Sequence, residues 1–571
     1  MTRVLLRRKL KTISLGNVAL SLGIYLIIGM FLLYPILMVF YESFFLDGKF
    51  SLVYYASFLS DPFYAKCFWN SLVASVVSVF TSSIVGIPMA YFLSRYRIPG
   101  KTLFMTISLI PMIVPPFVGA MAFVFLFGRY GTINLILMDW LGVIKEPINF
   151  VYGLHGLIFL ETLHLYPLMY LNSAAAMTQI DPALEETAEI QGVSGLRRFL
   201  TVTLPLATPG IAAGAFLTFI WVFSDWVTPM TLGVQEFLAP QAYSDLIQFT
   251  DIPRFQKGMV GCIIIALFSI VTLTGMRKYV SLKEYVSLSK GATREGRIIE
   301  ADNVKRGLAF SFCTAVAFLS LLAPVWLTIS SFAKVWKLTP FPLEYNFDNF
   351  LFVLSETPTY IVNSFRFSGV ALVIDLTLGL MIAFVLARTR ILGKDLMDGL
   401  VTMILAVPGI VVGIGYLRGF HRFVIPLIGD TLTHLWIIMP LIIAVRRVPY
   451  VVRSSYASLL QMDTAFEEAS EILGASRLRT FFRIDLPLIV RGVFSGTLFS
   501  FVTGIQEVSS TMFLFLPGWE TMTIGTFILF QSGGRFGAAA ALGVILMAVT
   551  SATIIVANKI GGKWLGGAFG A

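Results

Sequence analysis

Charge is what this sequence has least of. Of its 571 residues, 13% are Asp, Glu, Lys or Arg, while 57% are apolar and the mean hydropathy is +0.83. A soluble domain carries about 25% charged residues, and a chain with half that share cannot cover a water-facing surface. This excludes a soluble enzyme, a disordered chain and a collagen-like repeat. Cysteine is scarce too: Cys67, Cys262 and Cys313 are too few and too scattered for a disulfide framework or a thiolate metal site. The four histidines, His155, His164, His421 and His434, show no metal-ligand spacing and read as polar residues at helix ends or within a bundle.

What the chain has instead is long apolar runs. A membrane span needs about 20 such residues, and segments of this kind lie near 18–40, 69–94, 103–128, 152–178, 205–229 and 258–279. Six more lie near 307–330, 363–387, 397–417, 432–457, 488–512 and 537–557. The first follows a basic tail containing Arg3, Arg7, Arg8, Lys9 and Lys11. Its apolar run is too long for a signal peptide and no A-x-A-like site follows, so it reads as a retained helix. With the tail placed inside, basic residues such as Lys49, Arg129, Arg254 and Arg535 fall outside, but the inner side collects more than twice as many. The net charge of +10 is therefore topological, and no basic soluble surface is left for nucleic acid. An even number of spans puts both termini in the cytoplasm.

The chain also repeats itself. Asn70-Ser71 opens a segment that closes at Ser94-Arg95, before Gly100-Lys101. Asn363-Ser364 opens one that closes at Ala387-Arg388, before Gly393-Lys394, and Pro115 answers Pro408, all at an offset of 293. Residues 185–192, EETAEIQG, return at 467–474 as EEASEILG, an offset of 282 that holds from Pro167 and Pro449 to Leu204-Pro205 and Leu486-Pro487. The expected fold is thus all-α integral membrane, about 12 transmembrane helices in two six-helix halves, 1–285 and 307–571. A charged cytoplasmic linker, 286–306, carrying Lys290, Arg294 and Arg297, joins them. An even count per half makes the repeat parallel, with a pathway expected at the interface of the halves.

The repeated loop after the fourth span is the most informative segment. Asp181 and Asp463 suit an N-cap, with Pro182 in the first helical turn of the first copy. Glu185, Glu186, Glu467 and Glu468 fall in the first turn, where the helix dipole favours acids. Gly192 and Gly474 end the helix, and a basic stretch follows, with Arg197 and Arg198 or Arg477, Arg479 and Arg483. The expectation is a short helix, a sharp turn and a second short helix parallel to the bilayer, either gripped by a partner or lying at the interface without one.

E-x-[AS]-x-x-x-G, nine residues, then [IV]-x-L-P resembles the coupling motif of bacterial ABC-importer permeases of the binding-protein-dependent type. Glu186, Ala188, Gly192, Val202, Leu204 and Pro205 match in the first half. Glu468, Ala469, Ser470, Gly474, Ile484, Leu486 and Pro487 match in the second, while Thr187 stands where alanine is usual. The resemblance implies a type I importer fold, a coupling helix in each half seated on one of two cytoplasmic ABC ATPase subunits, and a substrate-binding protein on the outer face. It also implies that ATP and magnesium are bound by those partners, that this chain is not itself an enzyme, and that it sits in the bacterial inner membrane. Gly100-Lys101-Thr102 does not contradict this: Arg95 stands where a phosphate-cradling loop needs glycine. Both halves in one chain resembles the ferric-iron, thiamine and some organophosphate permeases.

Ionisable groups at bilayer depth are costly and mark a pathway or a buried pair. Asp225 and Glu507 are related by the offset of 282 and are expected to face the interface of the halves, binding a cation or holding helices in register. Pro229 is expected to break the fifth helix nearby. Asp375 has no acidic counterpart at Ser82, and Arg446 and Arg447 are its expected partners. Glu161 and His164, one turn apart, read as hydrogen-bonding residues of the bundle. No metal site is certain; Asp225 and Glu507 are candidates for transient contact with iron. FSDWVTPMTLG and QEVSSTMFLFLPG resemble the ferric-iron branch, with departures at Val227, Gln506, Val508 and Ser509. Ferric iron, a hard cation suited to oxygen ligands, therefore leads, ahead of hexose phosphate, phosphonate or thiamine. A secondary transporter driven by an ion gradient would use Asp225, Asp375 and Glu507, but leaves two matched loops unexplained.

Overall fold

The structure is a computed structural model and describes residues 15–561 except 47, 285–301, 337–338, 390, 392 and 427. The basic tail and the expected linker up to residue 301 lie outside the described residues. Among the described residues, nine helices are long and apolar enough to cross a bilayer, or up to ten if the bent pair Lys394–Ala406 and Gly409–His421 is one span. Twelve were expected.

Two features account for the difference. The segments at 103–128 and 397–417 are each broken at the proline that the repeat shares. In the first half the run Pro116–Trp140 stays long and apolar enough to count as a span, so only the second-half copy drops out. Val114 and Val407 are extended, the conformation a following proline imposes. The helix axis then turns by 107° between Lys394–Ala406 and Gly409–His421. The first-half copy runs as three pieces, Lys101–Ile107, Ile110–Ile113 and Pro116–Phe127. The segments at 152–178 and 432–457 do form, as Leu154–Thr178 and Ile438–Gln461. At about 1.5 Å per residue they are long enough to span, but Glu161, His164 and Asn172 in one and Arg446, Arg447 and Arg453 in the other make them too polar to face lipid.

The chain divides into two compact units that do not follow its order. Among the described residues, the larger holds 49–358 and 522–549; the smaller holds 15–48, 359–521 and 550–561. Each half therefore lends its opening helix to the unit built mainly from the other. In the smaller unit the first helix, a continuous run from Leu15 to Phe44 with a wide turn at Gly29–Leu33, lies along Gly409–His421. Gly415 and Gly419 give that contact its closeness: a Cβ on Gly415 would strike the Pro35 carbonyl. Small residues four apart let helix backbones meet in lipid, where no hydrophobic force drives them together. Tyr416 Oη donates to the Phe31 carbonyl at 2.7 Å and Tyr34 Oη to that of Gly419 at 2.9 Å. In the larger unit Asn303–Ser331 packs on Pro116–Phe127, and Tyr166 Oη meets Ser320 Oγ at 2.7 Å.

The two offsets seen in the sequence meet at the central helix crossings. A Cβ on Gly86 would lie 2.8 Å from Met169 Cβ, and one on Gly379 would lie 2.7 Å from Val451 Cβ. Gly379 is Gly86 shifted by 293, and Val451 is Met169 shifted by 282. The same crossing is built twice.

Candidate functional site

Each repeated loop forms a short helix braced from behind. Asp181 Oδ1 accepts from Ala183 N at 2.9 Å to start Pro182–Ile190, and Asp463 Oδ1 accepts from Ala465 N at 3.0 Å to start Ala465–Ile472. The helices end on left-handed glycines, Gly192 at φ 80° and Gly474 at φ 79°. Val193 N then reaches back to Ala188 O, and Ala475 N to Ser470 O, the bond pattern of a glycine-closed helix end.

The following stretch corrects an expectation. No separate second helix forms: Gly195–Arg198 runs through one wide turn, Phe199–Thr203, straight into Leu204–Ser224, and Arg477–Ile505 does the same. Pro205 and Pro487 supply the reason. Leu204 N bonds five residues back to Phe199 O and Leu486 N to Phe481 O, after which a proline with no N–H follows. The wide turn absorbs the missing bond.

Behind the first loop helix sits a pairing that the sequence reading missed. Glu185 and Arg95 have fully buried side chains, at 1% and 0% exposure, and meet at 3.2 Å. Glu185 Oε1 accepts from Thr203 Oγ1 at 2.8 Å, and Arg95 donates to the Met177 carbonyl at 2.8 Å. In the second half Arg388 Nε meets Glu467 Oε1 at 2.5 Å, the same pair under both offsets, but at 11% and 22% exposure. The signal was present: Arg95 and Arg388 end the matched second spans, and both halves duplicate the acid. Of the other predicted residues, Ala188 and Ser470 are buried, with Ser470 Oγ 2.9 Å from Thr480 Oγ1. Leu204 and Leu486 are half-buried. Glu186, Glu468, Gly192, Gly474, Pro205 and Pro487 are exposed. Large apolar side chains surround them: Ile190 is 87% exposed and its offset mate Ile472 is 86% exposed, with Leu196 and Leu478 also bare.

Among the polar residues of the helices, one assignment is overturned. Arg446 and Arg447 do not pair with Asp375. Both pair with Glu507, Arg446 Nη1 at 2.5 Å, and Ser510 N and Oγ each donate to the same carboxylate at 3.0 Å. Position 409 must be glycine for this, since a Cβ there would lie 2.5 Å from Arg446 Nη1. Asp375 is buried and accepts from Ser500 Oγ. Two guanidinium groups on Glu507 leave it a poor ligand for a cation. The fifth helix of the first half ends at Ser224, five residues before Pro229, which was expected to break it. Asp225 Oδ1 takes over Val227 N at 2.9 Å and Thr228 N at 3.4 Å, so Pro229 falls inside the next short helix, Val227–Thr231. Among the described residues, no group of three or more His, Cys, Asp or Glu is placed to hold a metal ion.

Known proteins resemble this chain. The family described as binding-protein-dependent transport system inner membrane component matches twice, over residues 82–283 and 376–563. The ferric transport system permease protein of Actinobacillus pleuropneumoniae is 26% identical over 553 residues, covering 95% of this chain and 78% of that protein. A putative ferric transport system permease protein of Haemophilus influenzae is 25% identical, over 91% of this chain and 80% of its own length. The molybdenum transport system permease protein of Escherichia coli is 32% identical over 161 residues, 28% of this chain and 68% of that protein.

Proposed function

Because this chain belongs to the inner membrane components of binding-protein-dependent transport systems, we propose that it is the fused permease of an ATP-driven importer whose cargo is ferric iron. Its place is the bacterial inner membrane, crossed many times, with both termini in the cytoplasm. A substrate-binding protein delivers the ion from outside. Two ABC ATPase subunits bind ATP and magnesium and drive the two halves, 1–285 and 307–571, between inward-open and outward-open states; this chain is a conduit with no catalytic residues of its own. The ferric assignment draws on the relatives' names and the near full-length coverage of this chain. The same relatives favour it over hexose phosphate, phosphonate or thiamine.

One observation carries the coupling role. Two loop helices, each braced by an Arg–Glu pair, present the same bare apolar side chains, Ile190 and Ile472, Leu196 and Leu478, at mates under the 282 offset. Exposed apolar residues on a rigid, duplicated element call for a protein surface to cover them. Glu186 and Glu468 lie beside them on the open face, while Glu185 and Glu467 brace each helix from inside. Ala188, Gly192, Leu204 and Pro205, with Ser470, Gly474, Leu486 and Pro487, shape the elements.

The test is capture of the ATPase subunits. Glu186→Lys, Glu468→Lys and the pair Ile190→Ser with Ile472→Ser should each lower co-purified ATPase at least tenfold, while the chain stays monodisperse with an unchanged melting temperature. Wild-type capture by all of these variants would end the coupling assignment.

A further inference from the structure

The Asn-Ser pairs that recur near the start of each second span, Asn70-Ser71 and Asn363-Ser364, take no part in the loop helices. Ser75 and Ser83 in the first of these spans, and Thr377 in the second, bond carbonyls of their own helix one turn back. Asn70, Ser71 and Asn363 reach out of their helix instead. Asn70 Nδ2 donates to the Glu236 carbonyl at 2.9 Å, and Leu238 N donates to Ser71 Oγ at 2.9 Å. Asn363 Nδ2 donates to the carbonyls of Gly518 at 2.8 Å and Glu520 at 3.0 Å. In each half the target is the end of the loop that follows the fifth helix and carries Asp225 or Glu507 near its start.

The contact is kept although the loops differ in length. Asp225 and Glu507 are 282 residues apart, Glu236 and Glu520 are 284 apart, and the two asparagines are 293 apart. The longer second loop still ends on its asparagine. The first half adds Lys66, one turn before Asn70, whose Nζ meets Glu236 Oε2 at 2.6 Å. Each loop also rests on the arm that follows the proline break: Val227–Thr231 packs on Pro116–Phe127, and a Cβ on Gly413 would lie 2.7 Å from the Ser510 carbonyl.

The opposite end of the same helix carries the brace. Pro62–Arg95 and Pro358–Arg388 are each one unbroken helix. In both, 25 residues separate the asparagine from the bracing arginine, about 37 Å of helix. Arg95 and Arg388 grip Glu185 and Glu467 of the loop helices. We propose that the second span of each half is a strut tying the ATPase-facing loop helix to the loop after the fifth helix, with Asn70, Ser71 and Asn363 as positioning residues. This rests on the permease reading and deepens it: a displacement of the loop helix travels along the span to the loop where Asp225 or Glu507 stands. An α-helix satisfies its backbone internally and is stiff along its axis. Gripped at both ends, and pinned between them where Gly86 and Gly379 cross the fourth helix, it moves as one piece.

The experiment uses the full transporter with its ATPase subunits in proteoliposomes and a bimane label on Gln235→Cys, an exposed position in the first loop. Cys67, Cys262 and Cys313 are buried, so the introduced thiol takes the label. Trapping the ATPases with ATP and vanadate should shift the bimane emission in the otherwise wild-type chain. Asn70→Asp, which keeps the shape but loses the donor, and Ser71→Ala should each cut that shift about tenfold, while ATPase capture and basal hydrolysis stay at the wild-type level. Asn70→Gln, which restores an amide donor, should recover part of the shift. If Asn70→Asp does not fold, Ser71→Ala beside Asn70→Gln carries the comparison. Uptake of radioactive ferric iron from its binding protein, per ATP hydrolysed, should fall by a similar factor in Asn70→Asp with Asn363→Asp. An unchanged shift in the folded variants overturns the strut, as does a wild-type loop that does not respond to trapping. A bimane shift without iron uptake would undo the ferric assignment and leave the strut standing. A wild-type chain that captures no ATPase would undo the permease reading and the strut with it.

Discussion

The two halves of this chain follow one plan and differ in how they satisfy it. Both build a loop helix between an aspartate cap and a left-handed glycine, both brace it with an arginine from the second span, and both follow it with a wide turn before a Leu-Pro pair. Yet the brace is sealed in the first half and partly wet in the second, and Thr203, which donates to Glu185, becomes Asp485, whose Oδ1 is buried without a hydrogen-bond partner. The carboxyls of the spans differ more: free of arginine in one half, clamped by two in the other. Duplication preserves the loop helix and lets the carboxyls of the spans diverge.

The largest difference between the halves should appear at the braces. Arg95→Ala leaves Glu185 buried and unpaired, which costs about 3–5 kcal/mol. Arg388→Ala leaves a partly exposed Glu467 and should cost about 1 kcal/mol. Melting temperatures of the two purified variants compare these directly, and equal losses would erase the distinction between a sealed brace and a wet one.

Helix packing gives the next effect. A Cβ on Gly210 would lie 2.5 Å from Ala176 Cβ and 2.6 Å from the Asn172 carbonyl, neither of which can swing aside. Its mate Gly492 faces the Ser458 hydroxyl, which can rotate away. Gly210→Ala should cost about 2–3 kcal/mol and Gly492→Ala about 1 kcal/mol, read as folded yield and thermal midpoint. The reverse order would show that the fourth and fifth helices of the second half are the more tightly held.

The smallest effect should show no difference. Asp181→Ala and Asp463→Ala each remove one cap bond from an exposed helix end, worth about 1 kcal/mol. Amide exchange at Ala183 and Ala465 should quicken alike in both, and a disparity would mean that the two loop helices are not held by the same local device.

Much of this was legible without coordinates, and the reason is local. Span positions, the aspartate caps, the glycine ends and the repeat all lie in contiguous residues, where composition and spacing act within a few turns of chain. Proline was legible only in part: Pro115 and Pro408 were visible as matched positions, but that each breaks a span depends on what the bent helix packs against. The acid–base pairing was not legible. Arg446 and Arg447 stand on one helix within reach of two candidate acids, Asp375 and Glu507, and a rotation or rise of a single turn would exchange them.

The sequence by itself determined that this is a duplicated membrane protein with two matched loops, because apolar length and a repeated polar motif are properties of the chain alone. Tertiary structure decided which half receives each opening helix, that the bracing arginines stand behind the loop glutamates, and that Glu507 rather than Asp375 takes both arginines. Those choices join residues tens to hundreds of positions apart, and only close packing in three dimensions, where Gly409 must yield its Cβ to Arg446 and Gly415 to Pro35, selects among them.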